Sequence, residues 1–449
     1  MKQYRLWQES KILLSLGLPI MLTQLAQASM GFVDTLIAGQ YSTLDLAAVA
    51  LGSSIWLPIF LAATGILMAT TPLVAFAMGS ERSDKVLSIF RQGIWVALTL
   101  GIVSVFLLNS TTWILEFMKV EPHLAAKTQA YLHAISWGFP ALMLYQLFRS
   151  YFEGLGKTRP AMHIAFAALL LNIPLNYIFV FGKLGMPELG AAGCGWASAL
   201  VMWLMLICGW LALKHKPQLK LPHATTARWL DIAALFNYLK LGVPMGFAIL
   251  IETSMFSVIA LLLAPLGTVI VAAHQITMTF TGLIFMIPLS IAMACTIRIG
   301  QLSGAAKPHD AWFSAKIGVL ITSSIAVFTS IAIWLLASQI AQIFTTEKNL
   351  IELAANLLLI AALFGISDAL QVTAAGALRG YKDTSIPLLI VFIAYWGIGL
   401  PLGYILGLTD WLTPAMGAAG FWYGLVIGLS VSAVLLLIRL RRVAKQSCR

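Results

Sequence analysis

Charged side chains are scarce in this sequence. Asp, Glu, Lys and Arg make up 10% of the 449 residues, whereas soluble domains carry roughly 25%. The hydrophobic share is 60%, and the mean hydropathy is +0.91. This balance excludes a soluble globular protein. It predicts an all-α polytopic membrane protein, because each helix that crosses a bilayer needs about 20 mainly apolar residues.

Cysteines and catalytic motifs are also few. The four cysteines, Cys194, Cys208, Cys295 and Cys448, form no CxxC pair. Neither a disulfide framework nor a zinc site is therefore indicated. No HExxH or GxSxG motif and no paired metal-ligand spacing is present. We therefore expect no enzyme and no cofactor, and a channel is disfavoured because a duplicated layout suits a transporter better.

Long apolar runs are abundant and predict twelve transmembrane helices in two sets of six. The first set lies near 12–38, 46–77, 89–108, 125–150, 161–182 and 190–213, and the second near 236–263, 269–297, 313–336, 350–378, 386–407 and 415–439. Residues 1–213 are predicted to form an N-terminal lobe and residues 236–449 a C-terminal lobe. Residues 214–235 are predicted to be the cytoplasmic linker between them.

Basic residues are distributed very unevenly between the two sides of these spans. Of the 28 Lys and Arg residues, 24 lie in segments on the side of the N-terminus and 4 lie on the opposite side. Cytoplasmic loops carry the excess of Lys and Arg in membrane proteins. Both termini are therefore predicted to be cytoplasmic, and the net charge of +11 reflects orientation rather than binding to nucleic acid.

The two halves of the chain are related by an internal repeat. Leu16-Gly17-Leu18-Pro19 recurs as Leu241-Gly242-Val243-Pro244, at an offset of 225 in the numbering. Gly190-Ala191-Ala192-Gly193 recurs as Gly417-Ala418-Ala419-Gly420, at an offset of 227. Six spans per half bring both halves into the membrane in the same sense, so we expect a parallel repeat with a substrate cavity at the interface of the lobes.

The acidic residues Asp34, Glu252 and Asp368 lie inside predicted spans. Ionisable groups at such positions cost several kcal/mol on some scales, and they usually face a protein-lined or wet cavity. A carboxyl group in a medium of low dielectric constant is stabilised by a proton, a sodium ion or an organic cation. Competition between these ligands is a physical basis for antiport, although a single acid can also be a structural hydrogen-bond anchor.

Neutral polar residues accompany the acids. Asn172 and Asn176 are spaced i, i+4 and therefore share one helical face. Cys194 and Gln275 also lie within predicted spans. Intramembrane asparagine often joins neighbouring helices by hydrogen bonds, so a purely structural role for the pair stays open.

Several motifs together resemble the MATE (multidrug and toxic compound extrusion) family, in its bacterial NorM-like branch. They are Met30-Gly31-Phe32-Val33-Asp34-Thr35, Ala272-Ala273-His274-Gln275, Leu378-Arg379-Gly380-Tyr381-Lys382-Asp383-Thr384 and the twin Gly-Ala-Ala-Gly sequences. The resemblance covers essentially the whole chain. It implies a two-lobe secondary exporter of the bacterial inner membrane that expels cationic amphipathic drugs and dyes in exchange for Na⁺ or H⁺.

The resemblance also implies roles for individual residues. The coupling cation, with Na⁺ favoured over H⁺, is expected at Glu252 and Asp368, and Asp34 is expected to act in coupling or substrate binding. Residues expected to line the cavity are Asn172, Asn176, Cys194 and Gln275. The expected partners are cationic drugs, the coupling ion and the lipid bilayer, and each monomer is expected to work alone.

The nearest alternative is a lipid-linked oligosaccharide exporter or flippase of the same superfamily. Such a protein carries an anionic pyrophosphate and is expected to place basic residues in its cavity. The predicted spans offer acids and almost no buried Arg or Lys. This pattern favours a cationic cargo.

Overall fold

The computed structural model describes residues 2–222 and 228–448, and helices form nearly all of this chain. The helices are α1 (Lys2–Tyr41), α2 (Thr43–Leu67), α3 (Thr70–Gly79), α4 (Ser83–Asn109), α5 (Thr112–Phe117), α6 (Pro122–Ser136), α7 (Phe139–Gly154), α8 (Arg159–Phe181), α9 (Ala191–His215), α10 (Ile232–Leu263), α11 (Thr268–Gly304), α12 (Pro308–Phe344), α13 (Lys348–Gly380), α14 (Ser385–Phe392), α15 (Leu400–Leu408) and α16 (Ala418–Ser447). Residues 223–227 of the predicted linker lie outside the described residues.

Eleven helical segments in the described part of the chain are long and apolar enough to cross a membrane. The remaining predicted span, 125–150, is built from α6 and α7, each of which is too short to cross alone. Pro140 lies in the first turn of α7. Proline is tolerated there but interrupts a continuing helix, which explains the break between α6 and α7. With this pair as one crossing, the predicted twelve-helix membrane fold is confirmed.

The eleventh crossing contains a π-helical segment, Ile393–Gly399, between α14 and α15. Pro401 is the second residue of α15, which begins directly after this segment. Proline has no N–H to donate to the preceding turn, and its ring displaces the carbonyl group there, so a widened turn fits at this point. The wider turn directs two consecutive side chains, Tyr395 and Trp396, towards α10.

The helices form two compact units. The C-unit consists of Met1–Met21 and Phe247–Arg449, and the N-unit consists of Leu22–Gly246. The chain thus changes unit within α1, after Met21, and within α10, after Gly246. These two positions differ by 225 in the numbering, which equals the repeat offset found for the first helix of each half. The lobe boundaries predicted at 213 and 236 stay a prediction.

Contacts within the units follow the same repeat. In the N-unit, Thr71 Oγ1 of α3 donates to the carbonyl oxygen of Ser150 in α7 at 3.1 Å. In the C-unit, Thr296 Oγ1 of α11 donates to the carbonyl oxygen of Gly376 in α13 at 2.7 Å. The donors are related by an offset of 225 and the acceptors by an offset of 226. Helices α3 and α7 therefore correspond to α11 and α13, and the predicted internal repeat is confirmed in three dimensions.

Large aromatic side chains fill the interior of each unit. In the N-unit, the rings of Phe90 and Phe148 stack at 5.5 Å, and Tyr151 packs edge-on against Phe90 at 5.1 Å. In the C-unit, Phe364 packs edge-on against the fully buried Trp422 at 5.5 Å. Such ring pairs stabilise a core beyond the contribution of buried area, so each unit has its own rigid framework for polar side chains.

Candidate functional site

The N-unit holds the Asp34 carboxylate in a complete set of hydrogen bonds. Asp34 Oδ1 accepts from Asn176 Nδ2 at 2.8 Å and from Asn172 Nδ2 at 3.2 Å. Asp34 Oδ2 accepts from Ser198 Oγ at 2.8 Å. All four side chains are buried. The carboxylate of α1 is thereby fixed against α8 and α9.

Helical spacing explains how these donors converge. Asn172 and Asn176 lie one turn apart on α8, and Cys194 and Ser198 lie one turn apart on α9. The Cys194 thiol lies 3.6 Å from the backbone carbonyl oxygen of Asp34. The structure therefore brings together four residues that were expected at a functional site. Ser198 was missed, and its i+4 spacing from Cys194 is the signal that could have found it.

The asparagines contribute acceptors as well as donors. Both direct their amide N–H groups to Asp34, and Asn176 also donates to the carbonyl oxygen of Asn172 at 2.9 Å. The buried Oδ1 atoms of Asn172 and Asn176 have no hydrogen-bond partner among the described residues. A carboxylate beside two free amide oxygens is a set of hard oxygen ligands, which suits a proton or an alkali cation.

The C-unit contains a second polar group around Glu252 of α10. Tyr395 of the π-helical segment donates its hydroxyl hydrogen to Glu252 Oε1 at 3.5 Å, a long hydrogen bond. Gln371 Nε2 of α13 donates to the Tyr395 hydroxyl oxygen at 3.1 Å. The buried Gln371 Oε1 has no partner in the described chain. Here again acceptor atoms outnumber donors.

Asp368 lies on the same face of α13 as Gln371, three residues earlier. It is buried, and none of residues 2–222 and 228–448 donates a hydrogen bond to its carboxyl group. The carboxyl groups of Asp368 and Glu252 lie close enough for their charges to repel each other. The guanidinium of Arg379, on the same helix as Asp368, attracts Glu252, so two carboxylates have one tethered positive charge between them. A proton or a mobile cation is needed to compensate the other.

A narrow cleft leads to Asp368 between α11, α12 and α13. It has room for about two water molecules. Its walls are mainly apolar but include the hydroxyl groups of Thr281, Thr329 and Ser330. These hydroxyls donate to backbone carbonyl groups, so their oxygen lone pairs stay available to a water molecule or a small cation.

Gln275 does not join either group of acids through a hydrogen bond in the described chain. Its exposed side chain lies 3.5 Å from Thr279 Oγ1 on the same helix, α11. The neighbouring His274 is buried, and its ring packs against Trp422 with a centroid distance of 5.9 Å. The expected lining role of Gln275 therefore stays a prediction.

A buried arginine is the feature that differs most from expectation. Arg149 of α7 is 3% exposed and forms an ion pair with Glu153, Nε to Oε1 at 2.8 Å. Its other two nitrogens donate to Gln27 Oε1 and Gln24 Oε1 of α1, each at 2.8 Å. Arg149 is thus an exception to the expected near-absence of buried basic residues: Glu153, four residues later on the same helix, neutralises the guanidinium, and two residues distant in sequence bind its other nitrogens.

Comparison with known proteins gives one consistent family. The sequence model of the MatE family matches residues 19–178 and 244–405, two ranges whose first residues are related by the offset of 225. Multidrug resistance protein PmpM of Pseudomonas aeruginosa is 46% identical over 99% of this chain and 94% of its own length. Multidrug resistance protein NorM of Vibrio vulnificus is 44% identical over 99% of this chain and 98% of its own length.

Solved structures share the fold. The crystal structure of the eukaryotic MATE transporter AtDTX14 superposes with a TM-score of 0.88 and covers 99% of both chains at 19% identity. The outward-facing conformation of a multidrug resistance MATE family transporter of the MOP superfamily also has a TM-score of 0.88. It covers 98% of this chain and 97% of its own at 19% identity. At such identities the likeness concerns the fold alone.

Proposed function

The chain belongs to the MatE family of multidrug efflux transporters, and we propose that it exports cationic amphipathic drugs and dyes in exchange for Na⁺, with H⁺ as the alternative coupling ion. The observation that carries this proposal is the surplus of acceptors around Glu252 and Asp368. Glu252 accepts a single, long hydrogen bond from Tyr395, whereas Asp368, whose charge repels that of Glu252, and the amide oxygen of Gln371 accept none from the described residues. Such a site needs a cation.

Exchange follows from the cost of enclosing bare carboxylates. A transporter whose acids are neither protonated nor bound to a cation is penalised when these groups are cut off from water. Binding of Na⁺, H⁺ or a cationic drug removes that penalty. These ligands therefore compete for the carboxylates within the same conformational cycle. The coupling role belongs to Glu252 and Asp368 in this proposal, and Asp34 supplies a second acid in the N-unit.

A cationic cargo agrees with the balance of buried charge. Three carboxylates, Asp34, Glu252 and Asp368, stand against two guanidinium groups in the two units. Arg149 is bound by Glu153, and Arg379 is attracted by Glu252 and donates to the carbonyl oxygen of Ala375. An anionic lipid-linked oligosaccharide would need an available cation instead. The alternative of a flippase therefore has less support than drug export.

The cellular setting is part of the proposal. The excess of Lys and Arg on the side of the N-terminus supports cytoplasmic termini, since cytoplasmic loops carry these residues. The full-length similarity to bacterial multidrug resistance proteins supports placement in the bacterial inner membrane. Each chain contains both halves of the repeat, which supports a monomer without any cofactor besides the coupling ion.

Ethidium export from proteoliposomes tests the proposal. A Na⁺ gradient and a pH gradient are applied separately to the wild type and to Asp368→Asn. We expect export driven by Na⁺, lost in Asp368→Asn because the second carboxylate is gone. The matched control is Asp410→Asn, which makes the same chemical change at an exposed acid of the C-unit.

The outcomes separate the alternatives. Export under the pH gradient alone would keep drug antiport and assign coupling to H⁺. Export under neither gradient would contradict antiport and favour the flippase. Normal Na⁺-driven export by Asp368→Asn would remove this residue from the coupling site.

A further inference from the structure

The cleft beside Asp368 lies entirely within the C-unit, between α11, α12 and α13. The buried side chains of Asp368 and Ser330 form its inner part. Thr281 and Thr329 also line it and are partly exposed, so the cleft opens to the surface of the C-unit. It therefore connects that surface with a carboxyl group that receives no hydrogen bond from the described residues.

The polar groups of this cleft present acceptors rather than donors. Thr281 and Thr329 each donate to a backbone carbonyl group of their own helix, at 2.8 and 3.0 Å. Ser330 donates to the carbonyl oxygen of Ala362 in α13 at 2.6 Å. A hydroxyl group has a single hydrogen to donate, so the contents of the cleft meet oxygen lone pairs. Oxygen acceptors that lead to a carboxyl group favour a cation over an anion.

The size of the cleft selects among cations. It has room for about two water molecules, whereas drug-sized ligands occupy far larger pockets. Its remaining walls are apolar and include Ile325, Ile333 and Phe364. A fused-ring cation such as ethidium cannot pass through this space. A sodium ion with a water molecule, or a proton carried by water, can.

Gly365 of α13 determines how much of this space stays open. It lines the cleft about one helical turn before Asp368. A methyl group added at Gly365 would have one neighbouring atom within 4 Å, the hydroxyl oxygen of Ser330 at 4.0 Å. Because Ser330 itself lines the cleft, a side chain at position 365 would project into the cleft.

The corresponding position of the N-unit holds a large side chain instead. The hydrogen bonds that relate α7 to α13 set an offset of 226. This offset pairs Gly365 with Phe139 and Asp368 with Leu142, and both partners are buried. The ring of Phe139 packs edge-on against Trp56 at 6.1 Å. The C-unit thus has an open glycine and an acid where the N-unit has a packed phenyl ring and a leucine.

We propose that this cleft is the entry route by which the coupling cation reaches Asp368, separate from the path of the drug, and that glycine at position 365 keeps the route open. The proposal rests on the antiport function proposed above and adds the residues that give the cation access to its site. Drug and cation still compete for the charge of the acids, but they arrive by different routes.

Gly365→Ala tests this inference with a substitution that the fold accommodates. The added methyl group meets open space, and alanine favours a helix more than glycine does, so the unfolding temperature is expected not to fall. The matched control is Gly282→Ala on α11, where an added methyl group also meets nothing within 4 Å and which does not line the cleft. Ethidium export from proteoliposomes is measured against the concentration of the driving cation, with Na⁺ and pH gradients applied separately. Ethidium binding is measured by fluorescence in detergent.

Gly365→Ala is expected to slow export by about tenfold at low cation concentration, because the methyl group displaces water whose hydrogen bonds it cannot replace. Gly282→Ala is expected to stay within about twofold of the wild type, since it leaves the cleft unchanged. Ethidium binding is expected to change by less than about twofold in both variants, because the drug is too large for the cleft. The gradient that drives the wild type identifies the ion as Na⁺ or H⁺.

The possible results distinguish the inference from the function on which it rests. Wild-type export rates in Gly365→Ala, or equal losses in Gly365→Ala and Gly282→Ala, would overturn the inference while leaving antiport intact. Weaker ethidium binding by Gly365→Ala alone would also overturn it, because the cleft would then belong to the drug site. Wild-type protein that exports under neither gradient would overturn antiport itself, and the inference with it.

A second variant decides the question should Gly365→Ala fail to fold. Thr329→Val exchanges one oxygen of the lining for a methyl group of similar size, at a hydroxyl that bonds within its own helix. Thr409→Val makes the same exchange outside the cleft, at a hydroxyl that donates to Ile405 in the last turn of α15. We expect the half-saturating cation concentration to rise about threefold in Thr329→Val and to stay unchanged in Thr409→Val. Equal values for the two threonine variants would then overturn the inference.

Discussion

The two units treat their intramembrane acids in opposite ways. Asp34 in the N-unit receives three hydrogen bonds from neutral side chains at 2.8–3.2 Å. In the C-unit, Glu252 accepts one hydrogen bond of 3.5 Å from Tyr395, and Asp368 accepts none from the described residues. The units descend from one repeat, so the fold does not impose this difference. It teaches that the same helices can surround an acid with hydrogen-bond donors or leave a pair of acids with a single donor.

The twin Gly-Ala-Ala-Gly sequences show the same divergence. In the N-unit, Asp45 accepts hydrogen bonds from the backbone N–H of Ala191 at 2.7 Å and from Lys127 Nζ at 2.6 Å. Gly190 is packed directly against this carboxylate. Gly417 is its counterpart in the C-unit. A methyl group added there would lie 3.9 Å from one side-chain atom of Leu266. In the N-unit, hydrogen bonds and close packing hold the start of α9 against Asp45. In the C-unit, the corresponding glycine at the start of α16 has more space around it.

Removal of the acids is expected to affect the stability of the two units differently. Asp34→Leu leaves the donors of Asn172, Asn176 and Ser198 unpaired in the interior, and each unpaired group costs about 1–3 kcal/mol. We expect a loss of about 3 kcal/mol or more in the free energy of unfolding, measured by denaturant unfolding in detergent. Asp368→Leu unpairs no donor and is expected to keep or raise stability. Equal losses would erase the contrast between the sites.

The paired glycines offer a second comparison. Gly190 and Gly417 have φ angles of +55° and +59°, so an alanine is strained at either position, by about 1–3 kcal/mol. At Gly190 the added methyl group would also lie 2.6 Å from Asp45 Oδ1. Gly190→Ala is therefore expected to destabilise the protein by about 1 kcal/mol more than Gly417→Ala. Thermal unfolding of both variants measures the difference, and a larger loss for Gly417→Ala would contradict it.

The smallest expected effect concerns the one donor at the C-unit acids. Tyr395→Phe removes the long hydrogen bond to Glu252 and should change the half-saturating Na⁺ concentration for export about threefold, which corresponds to roughly 0.7 kcal/mol. Trp396→Phe is the matched control, because it removes a hydrogen bond from the same π-helical segment to the carbonyl oxygen of Ile251. A similar shift in the control would assign the effect to the segment rather than to the carboxylate.

Local patterns predicted much of the fold and part of the candidate sites. Apolar runs indicated the crossings. The two ranges that match the family model begin 225 residues apart, and the two points at which the chain changes unit are also 225 residues apart, as the repeat offset of the first helices predicts. The i, i+4 spacing of Asn172 and Asn176 placed both side chains on one face, and the structure directs that face to Asp34. These features depend on spacing within one helix, which a sequence displays directly.

Other features depend on contacts between distant segments and were not predicted. Ser198 reaches Asp34 across 164 residues, and Arg149 reaches Gln24 across 125. The π-helical segment that presents Tyr395 to Glu252 joins α14 and α15 within a single predicted span. No periodicity indicates which polar side chains of different helices will meet.

The sequence by itself determined the class of the protein, the number of crossings and the internal repeat. The reason is that a bilayer offers no hydrogen-bond partners, so any long apolar segment must satisfy its backbone internally as a helix. The tertiary structure alone decided which buried charges form hydrogen bonds with other helices: Arg149 binds Gln24 and Gln27 of α1, Asp34 accepts from amide and hydroxyl donors, and Asp368 accepts from no donor among the described residues. Such hydrogen bonds depend on distances of a few Å between side chains of different helices, and only packing sets those distances.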